Sequence, residues 1–188
     1  MEKRHRIFIA INLPEEIKKE LFLYAKKWPE LPARWTIIDN LHITLEFLGY
    51  LTDEEIGEVC MAVKDVAERH SCFSLNINQI LYGPPKKMPP RMVWAEGKKS
   101  KELSRLREDL ENYLTEKISF VPENRIFAPH ITLARISAFE FRAIEPEERP
   151  EINEKIDLPF TVESIEVMES VLRRSGPIYT ILESHNLQ

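Results

Sequence analysis

The string His-Ile-Thr-Leu occurs twice, at 42–45 and at 130–133, and this duplication constrains the fold more than any other feature of the chain. Copies this far apart predict two similar lobes, or a pseudo-symmetric pair of strands. Side chains on a strand alternate faces. His42 and Thr44 therefore point one way, as do His130 and Thr132, while the Ile and Leu of each copy point the other. The apolar face belongs to the core. Each strand is left with one imidazole and one hydroxyl side by side on a face the core does not need.

Two such strands facing one cleft would present two imidazoles and two hydroxyls to a single ligand, a set that suits phosphodiester hydrolysis. One neutral imidazole can take a proton from attacking water, and one imidazolium can give a proton to the leaving oxygen. Each role is typically worth about 10² to 10⁴ in rate. The hydroxyls of Thr44 and Thr132 can donate to non-bridging oxygens as charge builds there. No Asp/Glu cluster suited to a catalytic metal lies near either string, so the expected chemistry uses no metal and no cofactor; Glu46 is the one nearby carboxylate. A single His-x-Thr on a strand ordinarily fills a structural role. Two copies in matching contexts favour the catalytic reading. His5 and His185 lie near the termini, and His70 ends a helix, where a cationic imidazole suits the dipole.

The rest of the chain reads as short strands alternating with helices. Residues 6–12 are apolar and β-branched, a buried strand. Residues 14–28 read as a helix, with Pro14 in its first turn and Ile17, Leu21, Tyr24 and Trp28 on one face. Strands are expected at 35–38 and 41–48, with Gly49 closing the second. A helix follows at 53–69, opened by the Thr52/Glu55 capping-box pattern. Strands at 73–81 and 91–95 flank a Pro-rich loop, a second long helix covers 99–117, and another strand covers 129–135. Residues 137–158, charged and Pro-punctuated, read as an irregular excursion, and strands at 160–168 and 179–182 complete the set. No Gly-rich phosphate loop follows any strand, so dinucleotide-binding and P-loop folds lack their main signal. The expected class is α+β with mostly antiparallel strands, in one two-lobed domain over 1–188 with one His-x-Thr motif per lobe.

Composition narrows the function. The 188 residues carry a net charge of −5, which argues against a protein that tracks long stretches of phosphate backbone but leaves room for a nucleotide or RNA end in a local basic pocket. No apolar run reaches the length of a membrane span or a signal peptide. Cys60 and Cys72 follow no metal-ligand spacing and read as reduced thiols of a cytoplasmic protein. Glu, Lys and Ile are abundant and Gln occurs only at 79 and 188, a bias shared with proteins from hot environments.

Several stretches together resemble the RNA 2′,3′-cyclic phosphodiesterases of the two-histidine phosphoesterase superfamily, also described as 2′-5′ RNA ligases. They are Arg6-Ile-Phe-Ile-Ala-Ile-Asn-Leu-Pro14, Asn40-Leu-His-Ile-Thr-Leu-Glu-Phe-Leu-Gly49, Phe127-Ala-Pro-His-Ile-Thr-Leu-Ala-Arg135, and Val167-Met-Glu-Ser170 followed by Gly176-Pro-Ile-Tyr179. The resemblance implies a two-lobed, pseudo-symmetric fold with antiparallel sheets facing across a cleft and helices outside. It implies hydrolysis of RNA or nucleoside 2′,3′-cyclic phosphates to 2′-phosphomonoesters, and leaves open whether the natural substrate is a tRNA fragment or a small nucleotide. It assigns His42 as proton donor, His130 as proton acceptor, and Thr44 and Thr132 as phosphate ligands. Reversal would join RNA ends 2′ to 5′. Arg135 is implied as a substrate contact, although strict alternation turns it away from His130 unless the strand ends or bulges first. Phe47 has the same parity and reads as core. Lys86, Lys87 and Arg91 read as solvated charge, with steering of RNA as the alternative. The competing functional reading is a non-catalytic module that binds or joins RNA ends in the same cleft.

Overall fold

The computed structural model describes residues 3–118, 120–122, 127–174 and 176–188. Among these are nine strands: β1 (His5–Asn12), β2 (Ala33–Trp35), β3 (His42–Leu51), β4 (Phe73–Gly83), β5 (Met92–Gly97), β6 (His130–Ile136), β7 (Asn153–Val162), β8 (Ser164–Arg173) and β9 (Gly176–Asn186). Four α-helices accompany them: α1 (Glu15–Leu23), α2 (Asp53–Ala67), α3 (Lys101–Lys117) and α4 (Ala138–Ala143). The strands form one antiparallel path in the order β7-β4-β5-β6-β3-β1-β8-β9, with β2 added on β6. The α+β class expected from the sequence holds.

Both His-x-Thr strands lie at the centre of this path. β3 and β6 meet through the pair Ile43 and Ile131, so one half of the molecule is β7-β4-β5-β6 and the other β3-β1-β8-β9. The two halves are thus joined into one hydrogen-bonded sheet rather than standing as separate sheets. The joining residues are the same in each copy, which puts a local two-fold axis between the two Ile residues. Ile43, Leu45, Ile131 and Leu133 are buried in a core that α2 closes with Val59, Val63 and Val66 and α3 closes with Leu103, Leu106, Leu110 and Leu114. Each fully buried aliphatic side chain contributes roughly 1.5–3 kcal/mol of transfer free energy, enough to fix which face of the His strands turns inward.

Local signals behaved as expected at α2, where the Thr52 hydroxyl accepts from Glu55 N–H and the Glu55 carboxylate accepts from Thr52 N–H. Elsewhere the structure differs from the sequence reading. The first helix stops at Leu23 and passes into a 3₁₀ turn over Tyr24–Lys26, with Pro14 as its N-cap rather than inside it. Residues 36–38 are not strand; a 3₁₀ turn at Ile38–Asn40 delivers the chain into β3. Gly49 does not end β3 but sits in a register shift with φ +80, and the strand runs on to Leu51. The stretch 137–158 contains α4, capped by Ser137, and the first half of β7. The single strand expected over 160–168 is the end of β7 and the start of β8.

Candidate active site

The two strings meet in one cleft. Continuing the antiparallel register by one residue on either side of Ile43 and Ile131 sets His42 opposite Thr132 and Thr44 opposite His130. All four side chains line a cleft of about 410 Å³, within the size range of small-molecule sites.

Each imidazole is anchored by the same local bond. His42 Nδ1–H donates to the Asn40 carbonyl (2.8 Å), and His130 Nδ1–H donates to the Ala128 carbonyl (2.9 Å). A carbonyl can only accept, so Nδ1 of each ring carries a hydrogen. Nε2 is then the atom free to take up or release a proton. The Thr44 hydroxyl donates to His42 Nε2 (3.0 Å). Thr132 Oγ1 has the Met92 sulfur at 4.0 Å, a weak acceptor that leaves its hydroxyl available.

Burial sets the electrostatics. His42 is pushed down from 6.5 to about 4, first by desolvation, with the charges of His130 and Lys18 adding to it and the Asn40 carbonyl opposing it. His130 is also lowered by burial, against the opposing influence of the Ala128 carbonyl and the Glu96 carboxylate. Both rings are therefore neutral in the open cleft near neutral pH, and an anion between them would favour protonation.

The parity problem at residues 47 and 135 is resolved by a pair of matched β-bulges. Ala10 and Ile9 of β1 pair with Thr44 and Glu46, skipping Leu45. Trp94 and Val93 of β5 pair with Thr132 and Ala134, skipping Leu133. Two consecutive residues are buried in each strand, Leu45 with Glu46 and Leu133 with Ala134. The next residue swings back to the cleft. Arg135 and Phe47 thus occupy equivalent positions and both line the cleft. Phe47 is 57% exposed, so the expectation that it belongs to the core is overturned. Glu46 lines the cleft but is buried beside Leu45: its Oε1 is 2.7 Å from Arg107 Nε, and desolvation raises it to about 7 despite that charge.

Several cleft residues escaped the sequence reading. Arg34 pairs with Arg135 across β2 and β6, and its guanidinium lies so close to Gly176 that a Cβ there would be 2.1 Å from it. Asn40 Nδ2–H donates to the Pro177 carbonyl (2.8 Å), tying the start of β3 to the β8–β9 hairpin. Tyr179 meets the His42 ring edge-on, centroids 5.1 Å apart. Lys86, Lys87 and Arg91 are exposed and are not among the cleft residues. Among the described residues no group of three or more His, Cys, Asp or Glu side chains is placed to hold a metal ion, and no helix is long and apolar enough to cross a membrane.

An antiparallel α+β fold with one His-x-Thr strand from each half at a shared cleft defines the two-histidine phosphoesterase class. More narrowly, the chain belongs to the LigT-like phosphoesterase family, whose model matches residues 11–94 and 96–179. It is 31% identical over 182 residues, 94% of this chain and 92% of the relative, to the RNA 2′,3′-cyclic phosphodiesterase of Thermotoga maritima. Its fold is similar to the crystal structure of TT0787 of Thermus thermophilus (TM-score 0.83, 29% identity, 97% of each chain). It is also similar to Escherichia coli LigT complexed with 3′-AMP (TM-score 0.79, 25% identity, 99% of each chain).

Proposed function

We propose that this protein hydrolyses RNA or nucleoside 2′,3′-cyclic phosphates to 2′-phosphomonoesters, with no metal ion, by acid/base catalysis between His42 and His130. The observation that carries the reading is the Ile43–Ile131 pair, which brings two imidazoles and two hydroxyls to one cleft. The activity named for the Thermotoga maritima relative supports it. In this reading the chain is one two-lobed domain, each lobe giving one motif.

His130 Nε2 takes a proton from water as its oxygen attacks phosphorus, and His42 Nε2 gives a proton to the departing 3′ oxygen. The donor must be charged beforehand. The phosphate anion supplies the stabilisation that the buried His42 lacks in the open cleft, and a depressed imidazolium is a strong acid that gives up its proton readily. Protonation of Nε2 also releases the Thr44 hydroxyl from that nitrogen, so Thr44 and Thr132 can both donate to the non-bridging oxygens. Arg135 and Phe47, at matched positions on the rim, offer a charge and an aromatic face to the nucleotide. RNA ends, tRNA fragments included, are the substrates this chemistry suits, and run in reverse it joins ends 2′ to 5′. Unpaired Cys60 and Cys72 fit a reducing cytoplasm.

The test is incubation with a nucleoside 2′,3′-cyclic phosphate in EDTA, with the product resolved as the 2′ or 3′ isomer. Release of the 2′-monophosphate is expected. Tight binding of RNA ends without turnover would instead support the non-catalytic module.

A further inference from the structure

The two copies of His-Ile-Thr-Leu are identical, yet their imidazoles rest on different surroundings. Trp94 lies opposite Thr132 on β5, and its indole stacks on the His130 ring with centroids 3.9 Å apart and planes inclined by 28°. The backbone makes room for this stack. A Cβ on Gly83 would fall 2.2 Å from Trp94 Cδ2, so any larger residue on that side of β4 would displace the indole. The indole Nε1 is buried with no hydrogen-bond partner among the described residues, an unfavourable arrangement that an aliphatic side chain would avoid. In the other half the matching position opposite Thr44 is Ala10. His42 meets no stacked indole there; Phe8 lies tilted at 5.0 Å and Tyr179 edge-on at 5.1 Å.

The face of an indole attracts a cation, and more strongly when water is excluded. It therefore favours the charged form of the ring it covers and resists rotation of that ring away from the cleft. The charged and titratable groups around His130 are Glu96, its cross-strand neighbour on β5, His42 and Glu46 on β3, and the cleft-lining Arg34, Arg107 and Arg135. Glu96 favours a charge on His130, whereas burial opposes one.

We propose that Trp94 is a positioning residue that breaks the symmetry of the two motifs, holding the His130 ring in place and stabilising the imidazolium it becomes on taking a proton from water. This rests on the cyclic-phosphate reading above. In the step, the water O–H bond breaks and its proton goes to His130 Nε2. The water oxygen bonds to phosphorus. The bond from phosphorus to O3′ breaks, and O3′ takes the proton of His42 Nε2. His130 ends charged and His42 neutral, and exchange with solvent resets both. Positive charge grows on the ring that has the indole beneath it and leaves the ring that does not.

The experiment compares wild type, Trp94→Leu and Trp94→Phe. Imidazole titration is followed by NMR in the unliganded protein, and kcat and KM are measured on a nucleoside 2′,3′-cyclic phosphate. A desolvated cation–π contact corresponds to a fall of about 5- to 30-fold in the proton affinity of His130 in Trp94→Leu, with a matching fall in kcat and little change in KM. Trp94→Phe, which keeps an aromatic face, is expected between the two. His42, which Trp94 does not stack on, reports whether the fold is intact; if Leu loosens it, the Phe variant carries the test through its own smaller fall. A His130 titration unmoved in either variant, in an enzyme that hydrolyses the substrate, would overturn the role of Trp94. Absence of hydrolysis by wild type would overturn the activity reading instead.

Discussion

The depressed His42 makes a stability prediction that needs no substrate. In the unfolded chain its imidazole titrates near 6.5, and in the folded protein near 4. Between those values the unfolded state binds a proton that the folded state refuses, so acid favours unfolding. His42 therefore contributes stability that is fully present above pH 6.5 and is lost as pH falls toward 4. At pH 4.5 the loss relative to neutral pH comes to about 2–3 kcal/mol, which for a chain of this size corresponds to a drop in Tm of roughly 5–10 °C. Carboxylates titrate over part of the same range, so the informative quantity is a difference. His42→Asn keeps a donor near the place where Nδ1–H meets the Asn40 carbonyl and removes the titration. Urea unfolding of both proteins at pH 7 and pH 4.5 is the assay. The variant is expected to be less acid-sensitive than wild type by about 2–3 kcal/mol. Equal acid sensitivity in the two proteins would refute the claim that burial holds His42 neutral.

The remaining predictions concern the cleft and its supports. Because both imidazoles are held below 6.5 by burial, kcat/KM should follow a bell with its optimum on the acid side of 6.5; an optimum in the alkaline range contradicts this ordering. Phe47→Ala should raise KM for a nucleotide substrate while changing stability by no more than about 0.5 kcal/mol, since the ring is exposed; a large drop in Tm would mean it packs as core. Gly83→Ala should destabilise by about 1–3 kcal/mol, because its methyl would overlap the Trp94 ring; a thermal melt unchanged from wild type would show that the indole moves aside without cost.

What the sequence makes legible follows the range of the interactions involved. The Thr52/Glu55 box works over three residues and was readable. The alternation that turns His42 and Thr44 away from Ile43 and Leu45 is a property of the strand itself. It fails at Glu46 and Ala134 because the bulges depend on pairing with β1 and β5, and nothing in Leu-Glu-Phe or Leu-Ala-Arg announces an extra residue. β7 read as irregular for another reason. It is an edge strand, largely exposed along its first half and carrying Pro159, and edge strands tolerate the charge and proline that argue against a central one. Arg34 and Trp94 enter the site through β2 and β5, the neighbours of β6. No local motif marks either, and only the strand order brings Arg34 to the cleft and Trp94 to His130.

The central claim is that His42 and His130 act together on one phosphate. It is tested most directly by kcat/KM on a nucleoside 2′,3′-cyclic phosphate for wild type, His42→Ala, His130→Ala and the double variant. An acid and a base serving one transition state are expected to lose about 10² to 10⁴ each when removed singly, and the double variant should fall little further than the worse single one. Near-wild-type hydrolysis by either single variant would contradict the account.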